Sequence, residues 1–269
     1  MSLAPNRGRV LIIAGSDSGG GAGIQADIKT VTALGGYAAT AITAVTVQNT
    51  LGVGAVHPIP AAVVEAQARA VLDDIGADVI KTGMLGGVDI VEAVARVLED
   101  AAVPVVVDPV MLAKSGAALL EPGALAAFRA LMIPRAVLLT PNAPEAEALT
   151  GVEVASLADQ RRAAEALLGQ GAQAVLLKGG HAPGPVVVDL LVTPDGERVF
   201  EHPRIETRHT HGTGCTLASA CAVGLAQGLP LAEAVDRAIA YTVEAIIRAP
   251  GLGAGAGPLD HAWPLRGDA

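Results

Sequence analysis

RVLIIAGSDSGGGAGIQAD, residues 9–27, decides the fold. Its first half is an unbroken apolar run ending at Gly15. Such a run reads as a strand buried on both faces, as in a parallel sheet, rather than the in–out alternation of a half-exposed one. A glycine-rich loop follows, and a helical pattern runs from about Ala22 to Leu34. Strand, tight loop and helix in that order form the first half of a βαβ unit.

The pattern repeats outward. YAATAITAVTVQN (37–49) is strand-like, and Pro60 opens a helix through Asp74. Further strands are expected at 77–83, 103–109, 136–142 and 173–180, and helices near 88–99, 121–131, 143–149 and 156–169. Past Pro185, VVVDLLV and ERVFEHPRI flank Thr-Pro-Asp-Gly, a hairpin signal. Two helices, 213–227 and 231–248, precede a glycine-rich tail. These features predict an α/β fold in a single domain over 1–269: a mainly parallel central sheet, helices on both faces and a late β-hairpin.

Composition narrows the function. Of 269 residues 51% are apolar and 17% charged, so a large core is within reach, and with 2% aromatics Ala, Val and Leu must fill it. A net charge of −9 without a Lys/Arg cluster argues against nucleic acid or an anionic membrane as partner. The apolar N-terminal stretch is too short for a signal peptide, and the uncharged 31–64 segment is broken by glycines and prolines. Cys215 and Cys221, six apart on one helix, face different ways, which fits a reduced, cytoplasmic protein.

Ligands in such sheets bind beyond the carboxyl ends of the strands. Ser16-Asp17, Gln48-Asn49, Lys81-Thr82, Asp108, Asn142 and Lys178 fall on that rim. Gly21-Ala-Gly23-Ile-Gln-Ala26 fits the dinucleotide fingerprint in form, but Ser16-Asp17-Ser18 intervenes and no acidic residue stands between Asp27 and Glu65. A tight turn over a small substrate fits better than NAD. Asp108 reads equally as a Mg²⁺ ligand or as a cap. Asn142 reads as an ordinary helix start, which leaves Glu145 unexplained; both would stand at the rim, where oxygen ligands suit Mg²⁺. Lys178 taken alone reads as a solvated strand end. His209 and His211 have metal-binding potential, but no third ligand lies close in sequence and the pair reads as structural.

HGTGCTLAS (211–219) places Gly212, Thr213 and Gly214 where a helix begins, with unpaired N–H groups and the positive dipole end for a phosphate. The same field predicts a lowered pKa for Cys215 and a general-base role toward an alcohol. The other reading is a buried, inert thiol, as for Cys221.

Seven segments in order, IAGSDSGGGAGIQADIKT, AITAVTVQNTLGV, VIKTGML, VVVDPVMLAKSG, LTPNAPEAEALTG, LLKGGH and THGTGCTLASA, closely resemble the hydroxymethylpyrimidine/phosphomethylpyrimidine kinases of thiamin biosynthesis. These are ribokinase-like enzymes, beside the pyridoxal kinases. The resemblance implies ATP-dependent phosphorylation of 4-amino-5-hydroxymethyl-2-methylpyrimidine and then of its monophosphate. It implies Gln48 on the aminopyrimidine, Met84 against the ring, Gly15, Ala22 and Val110 lining the pocket, and Asp27 in the substrate region. Lys178 and the 212–215 turn would hold the phosphates of ATP, and Asp108 and Glu145, assisted by Asn142, would organise Mg²⁺. Cys215 takes the place of the aspartate base of sugar kinases. The family suggests a homodimer, and no fused partner enzyme is expected after the tail. Gly19 and His209 depart from the family's usual Ser and Asn, the latter bearing on nucleotide contacts. The alternatives are a pyridoxal or pyridoxine kinase and a non-catalytic pyrimidine-binding regulator on the same fold.

Overall fold

The computed structural model describes residues 7–113, 116 and 118–266. Lys114 and Ser115 of the VVVDPVMLAKSG segment lie outside them, as do residues 1–6 of the N-terminal stretch.

The first strand, β1 (Arg9–Asp17), leads into α1 (Gly23–Ala33), β2 (Tyr37–Asn49) and β3 (Gly52–Pro58). Next come α2 (Ala61–Asp74), β4 (Val79–Thr82), α3 (Val88–Asp100), β5 (Val105–Val107), α4 (Ala124–Leu131) and β6 (Leu138–Leu139). The chain continues through α5 (Ala143–Thr150), α6 (Leu157–Gly169), β7 (Val175–Leu177), β8 (Val186–Thr193), β9 (Gly196–Pro203), α7 (Thr213–Ala226) and α8 (Leu231–Ile247). The strands form one sheet in the order β3-β2-β1-β4-β5-β6-β7-β8-β9. From β2 to β7 neighbours are parallel, while β3, β8 and β9 join antiparallel.

Alternation along β1 splits the core into two layers. Leu11 and Ile13 pack with residues of α2, α3, α4 and α6. Val10, Ile12 and Ala14 pack on the other face with α1, α7 and α8. Because both faces are covered, the strand positions read as continuous apolar runs. Helix α7 is buried nearly all round from Thr216 to Gly224, which its Ala-rich composition permits. Among the described residues no helix is long and apolar enough to cross a membrane.

Two elements differ from the sequence expectation. GVGAVHP (52–58) forms β3, which the apolar pattern does not announce because the strand is largely exposed and has no core face. Asn49 Oδ1 accepts the Leu51 N–H at 2.9 Å and turns β2 back into it. Strand β1 also runs past Gly15 through Ser16 and Asp17, where the register against β2 shifts between Ala14 and Ser16. This irregularity re-aims the chain at the rim.

Candidate active site

A cavity of about 860 Å³ opens beyond the carboxyl ends of the parallel strands. The chain order reverses at β1, whose neighbours β2 and β4 lie on opposite sides, so the cavity sits at the sheet's switch point. Gly15, Ala22, Gln48, Met84 and Val110 line it, and so do Asp108, Asn142, Glu145, Lys178 and residues 212–215. Met84 lies over Gly15 so closely that a Cβ there would meet its sulfur at 3.0 Å.

The first glycine loop is folded around its own anion. Asp17 accepts the N–H groups of Gly19 (2.7 Å), Gly21 (3.0 Å) and Ala22 (2.8 Å). These are the donors a dinucleotide fingerprint would present to a pyrophosphate, and here a carboxylate occupies them. Burial alone would raise the Asp17 pKa, but His211 and the loop N–H groups hold it below its ordinary value.

The other glycine turn is left open. Helix α7 has neither a side-chain cap nor an acidic residue in its first turn, so its N–H groups and dipole face the cavity. Gly212 makes this possible: its φ is +87° and a Cβ would lie 1.8 Å from the Gly21 carbonyl oxygen. A Cβ on Gly214 would lie 3.3 Å from Lys178 Nζ and 3.9 Å from Asp108 Oδ2, so the helix start, the cation and the carboxylate converge.

Lys178 is not the solvated strand end that its sequence context suggests. Its Nζ lies 3.1 Å from Asp108 Oδ1 and 3.7 Å from Glu145 Oε2. Burial would lower its pKa, but the two carboxylates outweigh that and raise it. Buried Asp189 fixes the following turn by accepting the Gly179 N–H at 2.7 Å. Asp108 Oδ1 also accepts from Thr140 Oγ1 at 3.2 Å, whereas Oδ2 is buried without a partner among the described residues.

Asn142 and Glu145 form a capping box. Asn142 Oδ1 accepts the Glu145 N–H at 2.9 Å, and Glu145 Oε2 accepts the Asn142 N–H at 2.8 Å. The box accounts for Glu145 as well as Asn142, contrary to the sequence reading, and assigns Asn142 to positioning the carboxylate. Burial, with Asp108 nearby, pushes the Glu145 pKa up to about 7 against the pull of Lys178.

Two expectations are corrected. The Cys215 thiol is not activated: burial, reinforced by Asp27 and Asp108, pushes its pKa up to about 12 despite the charge of Lys81. The helix dipole is a first-turn effect of limited size, and desolvation is the larger influence here. Asp27 does not line the cavity. It is fully buried, 2.9 and 3.0 Å from Lys81 Nζ, and it accepts a 2.7 Å hydrogen bond from Ser219. This triad ties α1 to β4 and α7 beneath the site. His209 also lies away from the cavity wall, where a Cβ on Gly257 would meet its Nδ1 at 2.2 Å.

The sequence reading placed Asp17 and Lys81 on the rim without a role and read His211 as structural. Lys81 was visible as a lysine inside an otherwise apolar strand, which demands a buried partner. His211 lines the cavity and was separable from His209 only by geometry.

A family model described as phosphomethylpyrimidine kinase matches residues 17–260. The hydroxymethylpyrimidine/phosphomethylpyrimidine kinase of Streptomyces coelicolor is 50% identical over 256 residues, 95% of each chain. Among solved structures, an ADP complex of Bacillus subtilis pyridoxal kinase superimposes with a TM-score of 0.89 at 37% identity, covering 96% of this chain and 99% of that one. The phosphomethylpyrimidine kinase of Clostridium difficile gives a TM-score of 0.79 at 41% identity, covering 88% and 99%.

Proposed function

The chain belongs to the phosphomethylpyrimidine kinase family, and from that premise we propose that it works as one kinase domain on two successive acceptors. It transfers the γ-phosphoryl group of ATP to the hydroxymethyl oxygen of 4-amino-5-hydroxymethyl-2-methylpyrimidine, and then a second phosphoryl group to the resulting monophosphate. The observation that carries this reading is the shared cavity: Gln48 and Met84 face a heterocycle-sized space into which the open end of α7, Lys178 and Asp108 also face.

Each residue then has a task. Gln48 pairs with the aminopyrimidine edge, whose adjacent donor and acceptor match an amide. Met84 packs on the ring beside Gly15, Ala22 and Val110. Lys178 and the N–H groups of Gly214 and Cys215 hold the transferring phosphoryl group and stabilise charge on its oxygens. As the acceptor oxygen bonds to phosphorus, the bond to the bridging oxygen of ADP breaks and the hydroxyl proton of the first acceptor passes to solvent, while Cys215 flanks the acceptor. The second acceptor is already anionic; a fixed carboxylate at position 215 would repel it, whereas a neutral thiol does not.

Mg²⁺ fits the donors present. Asp108 Oδ2 is a buried, bare oxygen beside Glu145, and such ions are held by one or two carboxylates with phosphate oxygens and water completing the shell. When bound, Mg²⁺ neutralises charge on the phosphates. Asp108 and Glu145 would hold it, with Glu145 kept in place by Asn142.

Phosphorus NMR with ATP, Mg²⁺ and the hydroxymethylpyrimidine tests the proposal: monophosphate and then diphosphate signals are expected, and ATP left intact refutes it. A pyridoxal kinase activity is the second reading, favoured by the 0.89 superposition on a pyridoxal kinase, and the same assay with pyridoxal measures it. We also propose a homodimer through the β2–β3 ribbon, where Val45, Val47, Leu51 and Val56 are exposed. Light scattering should report a dimer that Val47→Glu dissociates.

A further inference from the structure

His211 Nε2 has two neighbours and a single role to give them. It lies 2.9 Å from Asp17 Oδ2 and 3.1 Å from the side-chain nitrogen of Gln48. The ring is wedged in place. A Cβ on Gly21 would meet His211 Cδ2 at 2.6 Å, and the His211 N–H donates to the Gly257 carbonyl at 3.1 Å.

Asp17 decides which role the nitrogen takes. Its carboxylate accepts three backbone N–H groups and is held ionised, so it can only accept from His211. Nε2 therefore carries the proton and has no lone pair for a second donor. An amide NH₂ facing it opposes donor to donor. Turning the Gln48 amide over removes the conflict. Oε1 then faces the imidazole N–H, and the NH₂ faces Thr46 Oγ1, now 3.1 Å from the other end of the amide. Thr46 has a lone pair to offer because its hydroxyl hydrogen is donated to the Ser16 carbonyl at 2.9 Å. Only that orientation satisfies every group.

We propose that His211, held by Asp17, is a specificity-determining residue that fixes which end of the Gln48 amide is acceptor and which is donor toward the acceptor heterocycle. The inference rests on the function proposed above and deepens it. An aminopyrimidine presents an amine next to a ring nitrogen, so it pairs with an amide whose order is set. In pyridoxal a hydroxyl-bearing carbon replaces that ring nitrogen and a formyl group replaces the amine, so the fixed amide oxygen faces a second acceptor and is left without a donor. Leaving a site's polar group unpaired is a strong means of rejection. His211 acts through Gln48, as a positioning residue.

Nitrogen-15 NMR of histidine-labelled protein tests the orientation without any substrate, with His211→Gln supplying the assignment. A proton on His211 Nε2 is expected; a bare Nε2 overturns the inference even if the kinase activity is present. Kinetics test the consequence. His211→Leu should raise KM for the aminopyrimidine about tenfold, the size of one hydrogen bond, with kcat little changed. It should also narrow the preference over pyridoxal. His211→Gln, which keeps an N–H near the same place, should restore both. In a double-mutant cycle with Gln48→Ala the two losses should not add. Unchanged discrimination in His211→Leu, or additive losses, overturns the inference. Wild-type protein inert toward the aminopyrimidine refutes the functional reading instead, and the NMR result then decides the orientation alone.

Discussion

Lys178 Nζ and Asp108 Oδ1 stand 3.1 Å apart in an ion pair that leaves the second Asp108 oxygen buried with no partner among the described residues. One carboxylate thus holds the ammonium with one oxygen and keeps the other uncommitted at the point where α7 begins. Removing the ammonium in Lys178→Met takes a charge from the phosphoryl site and should lower kcat by about 10²–10³-fold, the usual scale for one transition-state donor. Steady-state rates at saturating ATP measure it; a loss under threefold would place Lys178 outside the transfer step.

Glu145 gives the pH dependence. Its pKa is raised from the usual carboxylate range to about 7, so the protonated form dominates below neutrality and the charge appears as pH rises through 7. Turnover should fall on the acid side of pH 7, and added Mg²⁺ should shift that limb to lower pH because metal and proton compete for the group. Rate profiles at two Mg²⁺ concentrations decide this, and a limb indifferent to metal refutes it.

A thiol with its pKa near 12 carries almost no thiolate at neutral pH. In the empty protein Cys215 should alkylate with iodoacetamide far more slowly than free cysteine, and Cys221, pushed equally high, should do the same. Rapid stoichiometric labelling at pH 7.5 contradicts the burial argument. Cys215→Ala removes a neutral flanking group, so both phosphorylations should slow alike and by less than the roughly 10²-fold that loss of a general base brings. A loss of that size confined to the first step would restore Cys215 as a base.

Two glycines with nearly the same backbone angle separate strain from crowding. Gly212 has φ +87° and would bring a Cβ 1.8 Å from a carbonyl oxygen; Gly228 has φ +86° and open space around it. Gly228→Ala should cost about 1–2 kcal/mol, a few degrees of Tm. Gly212→Ala should cost much more and abolish nucleotide binding. Calorimetry that finds the two variants equal rejects the crowding argument.

Asp27→Asn leaves the buried Lys81 ammonium without its counter-charge, and the expected loss is about 3–5 kcal/mol. Replacing both, as Asp27→Leu with Lys81→Met, should recover most of it while KM for the heterocycle stays within about threefold. Urea denaturation and KM together check the assignment. A large KM rise in the well-folded double variant would return Asp27 to the substrate site.

The parallel strands were legible because a doubly covered sheet writes itself as short apolar runs, such as 10–14 and 105–107. Strand β3 was hidden because an exposed edge strand has no such run. Gln48, Asp108, Glu145, Lys178 and the 212–215 turn line one cavity, in keeping with their places at strand and helix ends, and so does Met84, which only the family resemblance pointed to. The charge states were not legible. Sequence placed Cys215 in a helix dipole, but only three-dimensional packing shows that its surroundings push the thiol pKa up rather than down. It likewise could not show that the loop after β1 closes on Asp17, since a glycine run looks the same whether its donors wait for a ligand or are already taken.

Helix α7 carries the 212–215 glycine turn at its tip and is walled in along the rest of its length, so its side chains have nowhere to drift. Gln48, reached from that tip through His211, is half-buried and belongs to neither core layer, so a change there retunes the cavity without disturbing the packing beneath it.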